Sequence, residues 1–223
     1  MQFIASVQVF LRFFMDFIEG EILAFDKPYR WTSFDVVGKA RWLLCQRLGV
    51  KKLKVGHSGT LDPLATGVVV VCTGKKTKMI DQLQAHQKEY VATLQLGATT
   101  PSFDLEKEID ATYPTSHITQ ELIEEVIPTF VGEQWQVPPV FSAVKVDGKR
   151  AYKYARQGEA VELKAKLLVI DEIEILHFNS ELMQLVLRIV CSKGTYIRSL
   201  CENIANKLNT VGYMKNLKRN MKI

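Results

Sequence analysis

The sequence has no Cys-x-x-Cys pair and no His-Glu-x-x-His, and it holds only four cysteines and four histidines in 223 residues. Structural and catalytic metals need clustered ligands at such spacings, so no metal site is indicated. The phosphate loop Gly-x-x-x-x-Gly-Lys-Ser/Thr is also missing: Gly74-Lys75 occurs, but Val69 stands five residues before Gly74 and Lys76 follows Lys75. The hydrolase elbow Gly-x-Ser-x-Gly fails by one residue at Gly56-His57-Ser58-Gly59. These gaps argue against zinc enzymes, P-loop enzymes and serine hydrolases. No apolar run reaches membrane-spanning length either. The N-terminal stretch MQFIASVQVFLRFFMDF comes nearest, but Arg12 and Asp16 interrupt it, and it lacks a basic leader and a small-residue cleavage site. No membrane contact is expected. Residues 1–14 read as an upstream extension that need not be functional, with Met15 opening a functional domain over 15–223. Cys72 and Cys191 lie inside apolar runs, as buried reduced thiols do, which suits the cytoplasm.

What is present is an ordinary globular composition, 47% hydrophobic and 24% charged, with a formal charge of +5. The excess base is local. Residues 1–100 carry 13 Lys and Arg against 8 Asp and Glu, whereas the remainder carries 16 of each. A polyanionic partner fits that half. The same half contains the stretch around which the chain is organised, Gly56 to Lys78, with four glycines, one proline and one acid, Asp62, running into Val68-Val69-Val70-Val71-Cys72. The apolar run predicts a buried strand. Glycine permits positive φ and close backbone approach, so the turn before that strand can hold one carboxylate in a fixed place. A lone Asp before Pro would more simply cap a turn; the whole string sets this one apart.

Elsewhere, Glu21 to Phe25 predicts a strand closed by Asp26-Lys27-Pro28. Ser33 is a candidate N-cap for a helix whose inner face is Phe34, Val37, Ala40, Leu44 and Leu48. Its outer face carries Lys39, Arg41 and Arg47, and Lys51, Lys52 and Lys54 follow. Met79 to Ala85 predicts a short helix, and Glu89 to Gly97 a strand with Tyr90, Ala92, Leu94 and Leu96 on one face. Thr119 opens a helix to Phe130. Asp147-Gly148 marks a hairpin before a basic aromatic helix. Val169 to Ile175 and Leu182 to Cys191 predict two strands, the second with Leu185, Leu187 and Ile189 inward, and a helix then runs to Leu208. The mixture of periods two and 3.6 indicates an α+β fold, with no repeat or low-complexity linker.

The string from His57 through Asp62 to Gly67, the apolar strand and the Gly-x-x-Thr-Lys at Gly74 to Lys78 closely resemble the signature of the TruB-type tRNA pseudouridine synthases. Asp26-Lys27-Pro28 with Thr32-Ser33 resembles the family's first motif. The block from Val137 to Gly158 resembles a second long one. Lys193-Gly194-Thr195-Tyr196-Ile197-Arg198 and Leu217-Lys218-Arg219 resemble the last two, so the similarity covers roughly residues 19–219. It implies a mainly antiparallel mixed sheet flanked by helices, with a central RNA-binding cleft. The activity it implies is isomerisation of uridine to pseudouridine at position 55 in the TΨC arm of tRNA, after base flipping, by a monomer with no cofactor and no metal. Asp62 would be the catalytic nucleophile or base, with Arg198 beside it favouring the charged form. Tyr90 would stack on the base and manage its proton, Tyr196 and Leu217 would wall the pocket, and His57 would fill the space the flipped base leaves. Lys51, Lys52, Lys54, Lys149 and Arg150 are candidates for phosphate contacts. Asp104 stands where the family has an acidic residue, without an assigned role. The resemblance also carries departures. Lys218 replaces the first arginine of the last motif, the residues that usually follow it are missing, and so is the C-terminal RNA-binding PUA module. Weaker tRNA affinity or an unpaired final strand is the expected result. Two other readings stay open: a non-catalytic tRNA-binding or folding factor, and a synthase acting on a different uridine or RNA.

Overall fold

The structure, a computed structural model, describes residues 15–221; the extension expected over 1–14 lies outside the described residues. The chain divides into two compact units, the first ending at Ala85 and the second beginning at His86.

In the first unit β1 (Ile22–Lys27) leads to α1 (Ser33–Leu48), β2 (Val55–His57), β3 (Thr66–Thr73) and, after a 3-10 turn over Gly74–Met79, α2 (Ile80–Ala85). Both β1 and β2 pair antiparallel with β3. β3 is the buried strand the valine run predicts, with Val69, Val71 and Cys72 fully enclosed. Pro28 ends β1, since it has no amide hydrogen for the ladder. The cap of α1 is Thr32 rather than Ser33. Thr32 Oγ1 accepts from the Asp35 amide at 3.0 Å while Asp35 Oδ2 accepts from the Thr32 amide at 2.8 Å, a reciprocal capping box. The helix buries Val36, Val37, Ala40 and Leu44, each large aliphatic contributing about 1.5–3 kcal/mol. Phe34, expected inward, is 67% exposed, because it lies about 100° around the helix from Ser33, which takes the buried position in line with Val37, Ala40 and Leu44.

The second unit contains β4 (Lys88–Leu96), β5 (Ala98–Thr99), β6 (Ala111–Thr112), α3 (Gln120–Val126), β7 (Gly132–Gln136), β8 (Lys145–Val146), β9 (Lys149–Arg150), α4 (Ala151–Gln157), β10 (Lys166–Asn179), β11 (Gln184–Cys191), α5 (Ile197–Lys207) and β12 (Gly212–Asn220). Its sheet runs β12-β4-β11-β10-β7, each neighbouring pair antiparallel. Tyr90, Ala92, Leu94 and Leu96 are buried on one face of β4, and Leu185, Leu187 and Ile189 are enclosed on β11, as their alternation predicts. α5 covers part of this sheet with Leu200, Ile204 and Ala205 buried. Pro128 converts the end of the predicted 118–130 helix into a 3-10 turn over Ile127–Phe130. Asp147 and Gly148, both at positive φ, make the β8–β9 turn. The final strand is not left unpaired: β12 pairs with β4 from Gly212 to Asn220 with one bulge. Helices and antiparallel strands combine as an α+β fold, and no helix among the described residues is long and apolar enough to cross a membrane.

Candidate active site

Asp62 lies in the turn between β2 and β3, half-buried. Both of its neighbours are anchored by the segment that ends β1 and opens α1. On the N-terminal side the Ser33 hydroxyl accepts from the Leu61 amide at 2.9 Å and donates to the Leu61 carbonyl at 3.3 Å. On the C-terminal side the Pro63 carbonyl accepts from Lys27 Nζ at 3.0 Å and from the Arg30 amide at 2.8 Å. Lys27 is 1% exposed, and its ammonium also donates to the carbonyls of Pro28 at 3.1 Å and Trp31 at 2.5 Å. Three donors thus meet three carbonyls, which satisfies the hydrogen-bonding capacity of an ammonium placed inside the fold. The Ala65 amide closes the turn on the Asp62 carbonyl at 3.1 Å, and Gly59 and Gly67 bracket it at φ of 90° and 100°, where a side chain would be strained. His57 sits on β2 opposite Val71. Lys51, Lys52 and Lys54 are exposed between α1 and β2.

The remaining site residues belong to the second unit. Tyr90 on β4 faces Ile189 of β11 on one side and Arg219 of β12 on the other, and Leu217 pairs with Ala92 two residues along. Directly opposed residues of a sheet point to the same side, so Tyr90, Leu217 and Arg219 share one face. All three are buried, Arg219 included at 5% exposure. Arg219 was legible only as part of a motif; its place beside Tyr90 depends on the β4–β12 register.

Arg198 lies in the first turn of α5, 4% exposed. It donates from Nη1 to the Ser102 carbonyl at 3.1 Å and from Nη2 to the Phe141 carbonyl at 2.9 Å, while Nε lies 3.6 Å from Asp104 Oδ2. Asp104 therefore acquires a place. It is 2% exposed and accepts from the Ser102 hydroxyl at 2.7 Å and the Glu106 amide at 2.9 Å. Tyr196 caps α5, and its backbone is held from both ends by one side chain: its amide donates to Gln136 Oε1 at 2.8 Å and its carbonyl accepts from Gln136 Nε2 at 3.1 Å. Ser199 adds a bond to the Val137 carbonyl at 3.0 Å. Gln136, buried at the end of β7, joins the candidate site without any signal in the sequence, because its partner is 60 positions away.

The two cations of the β9 hairpin differ. Arg150 is exposed and donates to the Ala143 carbonyl at 3.0 Å. Lys149 is turned onto its own helix, against Gln157, with Glu159 at 3.3 Å and the Tyr154 ring centroid 4.1 Å away. No group of three or more His, Cys, Asp or Glu able to hold a metal occurs among the described residues.

Residues 46–197 match the sequence pattern of the TruB family pseudouridylate synthase (N terminal domain). The chain is 65% identical over 205 residues to the tRNA pseudouridine synthase B of Phocaeicola vulgatus, covering 92% of this chain and 86% of that one. It is 64% identical to the protein of the same name from Bacteroides fragilis, covering 92% and 87%. Among solved structures, a chain of a Cbf5-Nop10-Gar1 complex superposes with a TM-score of 0.66 at 27% identity, and a chain of an H/ACA RNP bound to a substrate RNA containing 2′-deoxyuridine with 0.63 at 25%. Each of these covers 92% of this chain, which spans 49% and 48% of theirs. Family pattern and relatives agree, and the chain belongs to the TruB family of pseudouridylate synthases, which are isomerases.

Proposed function

We propose that residues 15–223 form a catalytic domain that isomerises uridine to pseudouridine in tRNA, at position 55 of the TΨC arm, with Asp62 as the catalytic carboxylate. The observation that carries this reading is the two-sided anchoring of the Asp62 loop, through Ser33 at Leu61 and Lys27 at Pro63. Positioned groups contribute to catalysis because the geometry is fixed before the substrate arrives. The shared name of the relatives, tRNA pseudouridine synthase B, supports tRNA as the substrate.

The reaction breaks the N-glycosidic bond, turns the detached base and rejoins it to the sugar through C5. A carboxylate near C1′ of the sugar and C6 of the base can act as nucleophile or base. A uridine inside a folded arm must first leave its stack, at roughly a few kcal/mol. His57 then takes the vacated place, Tyr90 stacks on the base, and Tyr196 and Leu217 wall it. Arg198 supplies a buried cation. Lys51, Lys52 and Lys54, with Lys149 and Arg150, meet phosphates, so neutralising them lowers affinity uniformly across RNA sequences. The reading carries with it a monomer working in the cytoplasm.

The test is pseudouridine formation on an unmodified tRNA transcript, mapped by nucleotide, for the wild-type chain and Asp62→Asn. Product at position 55 from the wild type alone is the expected result. A folded wild type that binds tRNA and forms no product overturns the enzyme reading in favour of a binding or folding factor, and product at another nucleotide overturns the assignment of position.

A further inference from the structure

The outer face of α1 takes no part in the reading above. Its inner stripe is buried, whereas Gly38, Arg41, Trp42, Cys45 and Gln46 recur at spacings of three and four on the other side. With Lys51 they line a shallow, open surface groove of about 560 Å³. Three features of this groove point to one class of ligand.

The first is charge. From Val36 to Leu61 the chain has six cations and no acidic residue. The carboxylate of α1, Asp35, is turned back to the Thr32 amide and hydroxyl at 2.8 and 2.7 Å. The second is an aromatic ring in the open: Trp42 is 55% exposed, with Lys39 Nζ 4.6 Å from its ring centroid. The third is Gly38. A mid-helix glycine destabilises by roughly 1 kcal/mol against alanine, yet a Cβ placed there meets no atom within 4 Å. Packing does not require the glycine, and its effect is to leave the groove floor open.

We propose that this groove is an RNA-contact site in which an unpaired nucleobase stacks on Trp42 while Arg41 and Lys51 meet its phosphates. Sequence-tolerant binding of single-stranded RNA combines these two elements, an aromatic platform and a basic track. The site is separate from the one that takes the target uridine. Trp42 lies about 14 Å along the helix from Ser33, which holds the residue before Asp62. One tRNA therefore reaches both places with different nucleotides. The inference rests on the proposed tRNA substrate.

The experiment measures the affinity of a tRNA transcript for the wild-type chain, Trp42→Ala and Gly38→Leu, alongside pseudouridine formation by the wild type. Both substitutions fall on exposed or open positions, and Gly38→Leu fills the groove while favouring the helix, so it decides the matter if Trp42→Ala is unstable. Each is expected to weaken binding about tenfold, and bound tRNA is expected to protect Cys45 in the groove from a maleimide. If the wild type binds and modifies tRNA while both variants bind as tightly, this inference fails and the proposed function stands. If the wild type binds tRNA without modifying it and the variants bind weakly, the function fails and the groove stands. If the variants lose only self-association in sedimentation and keep RNA affinity, the face joins copies of this chain and the inference fails.

Discussion

Replacing Lys27 by methionine keeps the apolar stem and removes three hydrogen bonds from a charged donor to the carbonyls of Pro28, Trp31 and Pro63. Bonds to a charged group contribute about 1.5–3 kcal/mol each. Against that gross loss stands the several kcal/mol no longer needed to desolvate an ammonium that is almost fully buried. The carbonyls of Pro28 and Trp31 belong to exposed residues and regain water, and Pro63 keeps the Arg30 amide. A net destabilisation of about 3 kcal/mol follows. For a chain of this length that lowers Tm by about 6–12 °C, measurable by calorimetry. The effect on turnover is separable. With Lys27 gone the C-terminal side of the Asp62 turn loses its strongest anchor, and misplacement by about 1 Å can slow a reaction about a hundredfold. The single-turnover rate at saturating RNA is therefore expected to fall ten- to a hundredfold, with little change in RNA affinity. A Tm within about 2 °C of wild type would refute the account of the buried ammonium. A normal Tm loss with an unchanged rate would refute its role in holding Asp62.

Asp104→Ala removes a carboxylate 3.6 Å from the buried Arg198 guanidinium, and breaking such a pair costs about 3–5 kcal/mol; a urea midpoint equal to wild type would show the pair to be dispensable. Thr32→Ala removes the α1 cap at about 1 kcal/mol. The Thr32 hydroxyl, and then its amide, hold the Asp35 carboxyl below its ordinary range. A depressed acid stabilises above its unfolded pKa and loses that contribution as pH falls through the folded one, so the Tm gap between wild type and Thr32→Ala should narrow as pH falls below the ordinary aspartate pKa of about 3.9. Burial pushes the Cys201 thiol up to about 12 and Cys191 to about 11, and raises Cys72 as well. Cys45 alone is half-exposed. Mass spectrometry after mild alkylation should find Cys45 modified first, with the other three following only on unfolding.

Legibility in the sequence was high where a local pattern decides the outcome. The valine run and the alternation of β4 and β11 were visible, because burial dictates the pattern of a strand. It failed where partners are distant. Gln136 lies in a polar strand, Gly-Glu-Gln-Trp-Gln, with no clean alternation, and it owes its place to a backbone 60 positions on. Asp104 is a loop acid whose partner is 94 residues away, so its role could not be read from its own surroundings. The misassigned cap has a smaller cause. Thr32 and Ser33 both offer a hydroxyl, and the choice between them is made by Leu61, which takes the second one.

That choice joins two motifs that look independent along the chain. Asp26-Lys27-Pro28 with Thr32-Ser33, and the string around Asp62, are halves of one device, since the first supplies the groups that fix Leu61 and Pro63. Register makes the device work. β1 pairs with β3 so that Lys27 stands opposite Gly67, at the start of the strand that follows the Asp62 turn, and Asp26 opposite Val68. Alternation turns the Lys27 side chain inward, toward the three carbonyls. A slip of one residue would turn the ammonium to solvent and bring the Asp26 carboxylate to the carbonyls instead, where it can donate nothing while ionised. The order acid, lysine, proline is thus set by geometry. Lysine must fall on the inner side at the last position of the strand, and proline must stop the ladder immediately after it.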